Sequence, residues 1–120
     1  MISHRETGDI GEDLARQHLE NRGYKIHDTN WYHGHLELDI VAQKEKELVI
    51  VEVKSRNGNK YEHPSEAITN KKIKRIVEAA EAYILEKDLD IETRFDVITI
   101  VFCDNNFELE HYKDAFYPTL

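Results

Sequence analysis

Hydrophobic positions along this chain change their period several times, and each change marks an element. Ile10, Leu14, Ala15, His18 and Leu19 recur at helical spacing, which predicts a helix over Thr7–Asn21 that Gly23 stops. Gly8 and Gly11 fall on one side of it, where missing side chains let a helix approach a sheet closely. A weak pattern predicts an edge strand over Tyr24–Trp31. Leu36–Ala42 alternates, with Leu36, Leu38 and Ile40 on one face and Glu37, Asp39 and Val41 on the other. The polar run Gln43–Glu47 has hairpin length, and the β-branched Leu48–Lys54 predicts the next strand. Ser55–Pro64 reads as a loop around Asn57-Gly58-Asn59.

A long helix is predicted over Ser65–Lys87, capped by Ser65, with Ile68, Ile73, Ile76, Val77, Ala80, Tyr83 and Ile84 on its apolar arc. Arg94–Phe102 and Phe107–Tyr112 predict two further strands, joined at Asp104-Asn105-Asn106. Helix, three strands, helix, two strands is the order of an α/β fold, a mixed sheet of about five strands flanked by helices.

The anomaly in this pattern is acidic. Glu37 and Asp39 interrupt one apolar strand, and Glu52 and Lys54 end the next. Strand alternation puts Glu37 with Asp39 and Glu52 with Lys54, and a hairpin would bring all four to one patch. Buried carboxylates cost several kcal/mol each unless something positive compensates. Lys54 is one compensator, and a divalent cation is a better one because hard cations prefer carboxylate oxygens. Glu12 lies beside Leu19 on a helical wheel, at the edge of the buried arc, and can reach the rim of the sheet. Lys72 falls inside the apolar arc of the long helix, while Lys71, Lys74 and Arg75 point to solvent. Carboxylates and a lysine around Mg²⁺ or Mn²⁺ suit phosphodiester hydrolysis.

Composition narrows the classes. The chain has 120 residues, 40% of them hydrophobic, which excludes disorder and allows one domain spanning 1–120. One cysteine, Cys103, excludes an internal disulfide framework or a thiolate zinc site and reads as a small buried hydrophobe. No apolar run reaches a membrane span and Met1–Glu6 lacks a signal peptide's apolar stretch, so the expected location is the cytoplasm, with no membrane partner. Net charge is −8, yet the window from Lys54 to Arg75 holds seven basic and two acidic residues. That strip of +5 on a body of −13 can attract a polyanion locally, or it is a solvated helix face. Arg94 and Asp96 read as a structural ion pair, His33-Gly34-His35 as a polar turn, and Trp31, Tyr32, Tyr61 and Tyr83 as packing residues. Glu37 stands open between an exposed hairpin carboxylate and a site residue.

Asp39 followed by Glu52-Val53-Lys54 resembles the PD…(D/E)xK signature of restriction-endonuclease-like nucleases, with Leu38 where the proline usually stands. A closer resemblance is to the YraN family of small bacterial proteins related to Holliday junction resolvases. It rests on Gly8–Ala15, Gly23-Tyr24, Asn30, Glu37–Ala42, Val51–Arg56, Lys72 and Arg94–Val97, in order along nearly the whole chain. The resemblance implies a restriction-endonuclease-like αβββαβ core. It implies catalytic positions at Glu12, Asp39, Glu52 and Lys54, with Asp39, Glu52 and Glu12 holding Mg²⁺ or Mn²⁺ and the Val53 carbonyl assisting. Glu37 and Lys72 match further family positions. The expected activity is metal-dependent endonucleolytic cleavage of DNA, branched or damaged DNA being the candidate substrate, with Arg56, Lys71, Lys72, Lys74 and Arg75 meeting phosphates. The alternative is a non-catalytic nucleic-acid-binding or protein-interaction module that keeps the fold. A third reading is an RNA-directed nuclease. Related resolvases act as dimers, which makes a homodimer or a partner on the acidic face the expected protein contact.

Overall fold

The computed structural model describes residues 4–59 and 64–117. Its elements are α1 (His4–Asn21), β1 (Lys25–His33), β2 (Leu36–Lys44), β3 (Glu47–Asn57), α2 (Pro64–Ala67), α3 (Asn70–Lys87), β4 (Glu92–Cys103) and β5 (Asn106–Tyr112). The five strands form one mixed sheet in chain order. β3 and β4 are parallel neighbours joined through α2 and α3, and the other pairs are antiparallel. This is the α/β architecture expected from the pattern, with the order of a restriction-endonuclease-like core. No helix among the described residues is long and apolar enough to cross a membrane.

Two apolar layers hold the helices to opposite faces. On one, Ala15 and Leu19 of α1 pack with Ile40, Val49, Val51, Val53, Ile98 and Ile100. On the other, Ile76, Ala79, Ala80 and Tyr83 of α3 pack with Leu36, Leu38, Val41, Leu48, Ile50, Phe95 and Val97. α1 ends as expected at Gly23, whose φ of +84° suits glycine. Gly11 lets α1 lie close on β3, since a Cβ there would stand 1.8 Å from Ser55 Oγ. Gly8 does not share that role, having no neighbour within 4 Å of a Cβ among the described residues.

Several expectations change. Ser55, read as loop, continues β3, because the strand stays paired with β4 out to Asn57. The long helix is two helices: Ser65 falls inside α2, and Thr69 caps α3 by accepting the Lys72 N–H on its hydroxyl at 3.2 Å. β1 begins one residue later than Tyr24 and runs on to His33. Ile10 is 40% exposed and Cys103 is exposed at the end of β4, so neither belongs to the core. Trp31 and Tyr83 do pack, edge to face at 5.1 Å, whereas Tyr32 is 61% exposed. Tyr61 lies outside the described residues.

One departure builds the site. The expected alternation places Leu36, Leu38 and Ile40 together, yet Leu38 packs on the α3 side and Ile40 on the α1 side. β2 turns over at Asp39.

Candidate metal centre

The sheet forks where β2 turns over. β2 pairs with β3 only from Ile40 to Lys44, while β1 stays on β2 as far as Leu36 and β3 stays on β4 as far as Asn57. Asp39 stands at the mouth of this fork, 7% exposed. Its Oδ2 accepts the Val53 N–H at 2.9 Å, so a side chain replaces the strand neighbour that β3 lacks there.

Three carboxylates meet at that point. Oxygens of Glu12 from α1 and of Glu37 and Asp39 from β2 all lie within 4.8 Å of one another. The expected set is Glu12, Asp39 and Glu52, and Glu37 stands in that group in place of Glu52. The reason is facing: Glu52 follows Leu48 and Ile50 on the α3 side of β3. There it is 4% exposed, hydrogen-bonded to Asp39, and 3.7 Å from Lys72 Nζ. Lys72 thus reaches Glu52 from α3, as its place on the apolar arc predicts. Half-buried Lys54 adds its positive charge near Glu52. Lys71, Lys74 and Arg75 are exposed, and half-buried Arg56 donates to the Asn59 carbonyl at 2.5 Å.

The electrostatics follow from crowding. Burial, then the charge of Glu52, push Asp39 up to about 9, overcoming the Val53 N–H that favours its ionised form. Burial also raises Glu52 against the pull of Lys72, the Asp39 hydrogen bond and Lys54. Burial raises Glu12 as well, opposed by a hydrogen bond from Asn30 and reinforced by Glu37, Asp9 and Glu52. Crowding therefore favours the protonated form of Asp39, which hydrogen-bonds Glu52 and Glu37. The donor set, hard oxygens carrying more negative charge than the two lysines neutralise, fits a divalent metal such as Mg²⁺. A cleft of about 240 Å³ opens beside it, lined by Asp9, Glu12, Asp13, Arg16, Thr29, Asn30, Asp39 and Ile40.

The sequence reading gave two neighbours no place in the site. Tyr32, read there as a packing residue, pairs across the hairpin with Glu37 and hydrogen-bonds its carboxylate, and Asn30, named only as a position of the family resemblance, falls opposite Asp39. The cross-strand offset could have found Tyr32; nothing in the pattern marks where the strands turn over.

A second charged network lies at the start of β4. Arg94 grips fully buried Asp96 with two bonds of 2.8 Å, as the ion-pair reading expects. His111 Nε2 at 2.7 Å and the Asp114 N–H at 2.9 Å complete the shell, and His18 lies 3.2 Å from His111. Arg94 also donates to Tyr24 at 2.7 Å. Burial alone would raise Asp96, but these donors outweigh it and hold it low. The network ties β4, β5 and the C-terminal segment together.

A carboxylate cluster in a forked mixed sheet, between helices on opposite faces, defines the restriction-endonuclease-like class. Residues 11–100 match the family described as "Uncharacterised protein family UPF0102". Similar proteins include UPF0102 proteins of Bacteroides thetaiotaomicron (50% identical over 120 residues, 100% of this chain and 99% of that one) and Bacteroides fragilis (48%, with the same coverage). One from Flavobacterium psychrophilum is 43% identical over 117 residues, 98% of each chain. The chain belongs to the UPF0102 family, the YraN family its motifs resemble, within the PD-(D/E)xK-like superfamily.

Proposed function

We propose that this chain is a metal-dependent endonuclease that hydrolyses phosphodiester bonds in DNA, with branched or damaged DNA as the substrate class. The observation that carries the reading is the convergence of Glu12, Glu37 and Asp39 within 4.8 Å beside buried Glu52 and two lysines. Glu12, Glu37 and Asp39 would hold Mg²⁺ or Mn²⁺, with Glu52 joining through Asp39. A bound cation would supply Lewis-acid polarisation of the phosphate and a more acidic water. Asp39 must lose its proton to become a ligand, and the Val53 N–H fixes the orientation in which it does so. Lys54 would stabilise charge developing on the phosphate and steer the attacking water. Lys72 keeps Glu52 paired on the α3 side. Arg56, Lys71, Lys74 and Arg75 would meet the backbone phosphates.

Calorimetric titration of Mg²⁺ and Mn²⁺ tests this first. The wild type is expected to bind and Asp39→Asn to lose the signal. With Mn²⁺ present, wild-type protein should then cleave a member of a set of branched, flapped and single-stranded DNAs that Lys54→Ala leaves intact. The −13 carried outside the basic strip favours a second reading, a binding module that keeps the fold without cleaving. Cation binding with no cleavage of any DNA or matched RNA supports that reading, and cleavage of RNA alone moves the substrate class to RNA.

A further inference from the structure

We propose that Asn30 is a positioning residue of this centre: its left-handed backbone brings its carboxamide into the cleft, where it holds the α1 carboxylate of Glu12 turned toward Asp39. The inference rests on the metal-site reading above.

Asn30 has a φ of +49° in the middle of β1, where no turn calls for it. Its neighbours pair regularly, Thr29 with Ile40 and Trp31 with Leu38, so Asn30 stands across from Asp39. Trp31 and Leu38 both pack on the α3 side, whereas Ile40 packs on the α1 side. Asn30 is therefore the β1 half of the turn-over that opens the fork at Asp39. The bulge in this strand pair lies earlier, between Ile26 and Asp28, and the register beyond it is unbroken. Left-handed backbone is unfavourable for residues with a Cβ, and asparagine tolerates it best among them. Strain held inside a regular strand points to a role for the residue that bears it.

The side chain supplies that role. Asn30 lines the same cleft as Glu12 and Asp39, and its carboxamide hydrogen-bonds Glu12. Glu12 comes from a helix on one face of the sheet, so it needs a tether to meet carboxylates set in the strands. A neutral amide orients it without adding a positive charge that would repel a cation. Outer donors of this kind fix ligand orientation at metal sites.

Two substitutions separate backbone from side chain. Asn30→Gly keeps the left-handed conformation and removes the carboxamide; Asn30→Ala removes the carboxamide and strains the backbone. Mn²⁺ affinity is read by calorimetry and folding by thermal melting. Asn30→Gly is expected to bind Mn²⁺ about tenfold more weakly, the low end for outer partners of metal ligands. In a Glu12→Gln background the same change should have no further effect. Asn30→Ala should melt below Asn30→Gly. Unchanged affinity in Asn30→Gly, with wild-type protein binding normally, overturns this inference and leaves the metal centre standing. An equal loss in the Glu12→Gln background also overturns it. No Mn²⁺ binding by the wild type overturns both readings.

Discussion

Asp39 is the residue whose ionisation the proposed cation would change most. Burial first, and Glu52 second, raise it to about 9 from an ordinary 3.8. A carboxyl raised on folding contributes stability that is complete below its unfolded value and is lost as pH climbs to the folded value. For Asp39 that window runs from about 4 to about 9, at a limiting slope of about 1.4 kcal/mol per pH unit. Glu12 and Glu52, also raised, lean the same way. His18 opposes them: burial, then Arg22, lower it to about 4, so its contribution is lost as pH falls from 6.5. Below pH 6.5 His18 offsets part of the carboxylates' loss, and the carboxylates act alone above it. Metal-free protein should therefore lose melting temperature gently from pH 5 to 6.5 and more steeply from 6.5 to 9. Asp39→Asn should flatten the upper limb, and saturating Mg²⁺ should raise the wild-type melting point more at pH 8.5 than at 6.5. A melting curve series over that range, with chelator and with Mg²⁺, checks all three. A wild-type upper limb no steeper than the variant's would mean that Asp39 ionises freely.

At the scale of elements, α1 is held where Glu12 can reach the fork by one close approach. A Cβ on Gly11 would stand 1.8 Å from Ser55 Oγ and 3.0 Å from Ser55 Cβ, and Ser55 Oγ is buried without a hydrogen-bond partner among the described residues. Ser55 can rotate only part of that conflict away, so Gly11→Ala must lift α1. The expected cost is about 1–3 kcal/mol, typical of overpacking, with weaker Mn²⁺ binding because Glu12 travels with the helix. Gly8→Ala meets nothing within 4 Å among the described residues and should be neutral or stabilise by up to about 1 kcal/mol through helix propensity. Chemical denaturation of the two variants decides it, and equal stabilities would remove the close-packing role of Gly11. These glycines also show how far the sequence could be read. Periodicity put both on one side of a helix over a sheet, but it could not say which one touches. Alternation likewise exposed Asp39 and Glu52 as carboxylates among apolar neighbours. It failed at Ile40, because the turn-over of β2 depends on β1 and β3 and leaves no local mark. The break at Thr69 was hidden for a similar reason: Ile68 and Ile73 both serve the same core across it, so the apolar arc looks continuous.

For the whole molecule, the difficulty is charge. A body of net −8 repels a polyanion at long range, and screening confines any attraction to about 8–10 Å at physiological salt. DNA can therefore be held only where cations are exposed and concentrated, and the start of α3 offers Lys71, Lys74 and Arg75, all exposed. Lys72 is already committed to Glu52 and contributes less to that field. A cation in the cluster would act in the same sense, neutralising carboxylates that otherwise push phosphate away from the fork. Binding should thus need both the strip and the metal. Fluorescence anisotropy with labelled branched DNA, titrated with salt and using Ca²⁺ to suppress cleavage, measures this directly. Changing Lys71, Lys74 and Arg75 together to Gln should weaken binding at every sequence and lower the salt-dependence slope by about 2 to 3, close to one for each phosphate no longer neutralised. The variant should melt like the wild type and bind Mn²⁺ with the same affinity, because none of the three side chains reaches the cluster. Removing the cation with chelator should weaken wild-type binding further, and most at low salt, where repulsion from the bare carboxylates is least screened. If the triple variant binds as well as the wild type, α3 does not meet the phosphates. If no DNA binds at low salt with the cation present, the acidic surface governs the molecule, and a basic protein partner becomes the better candidate for what it meets.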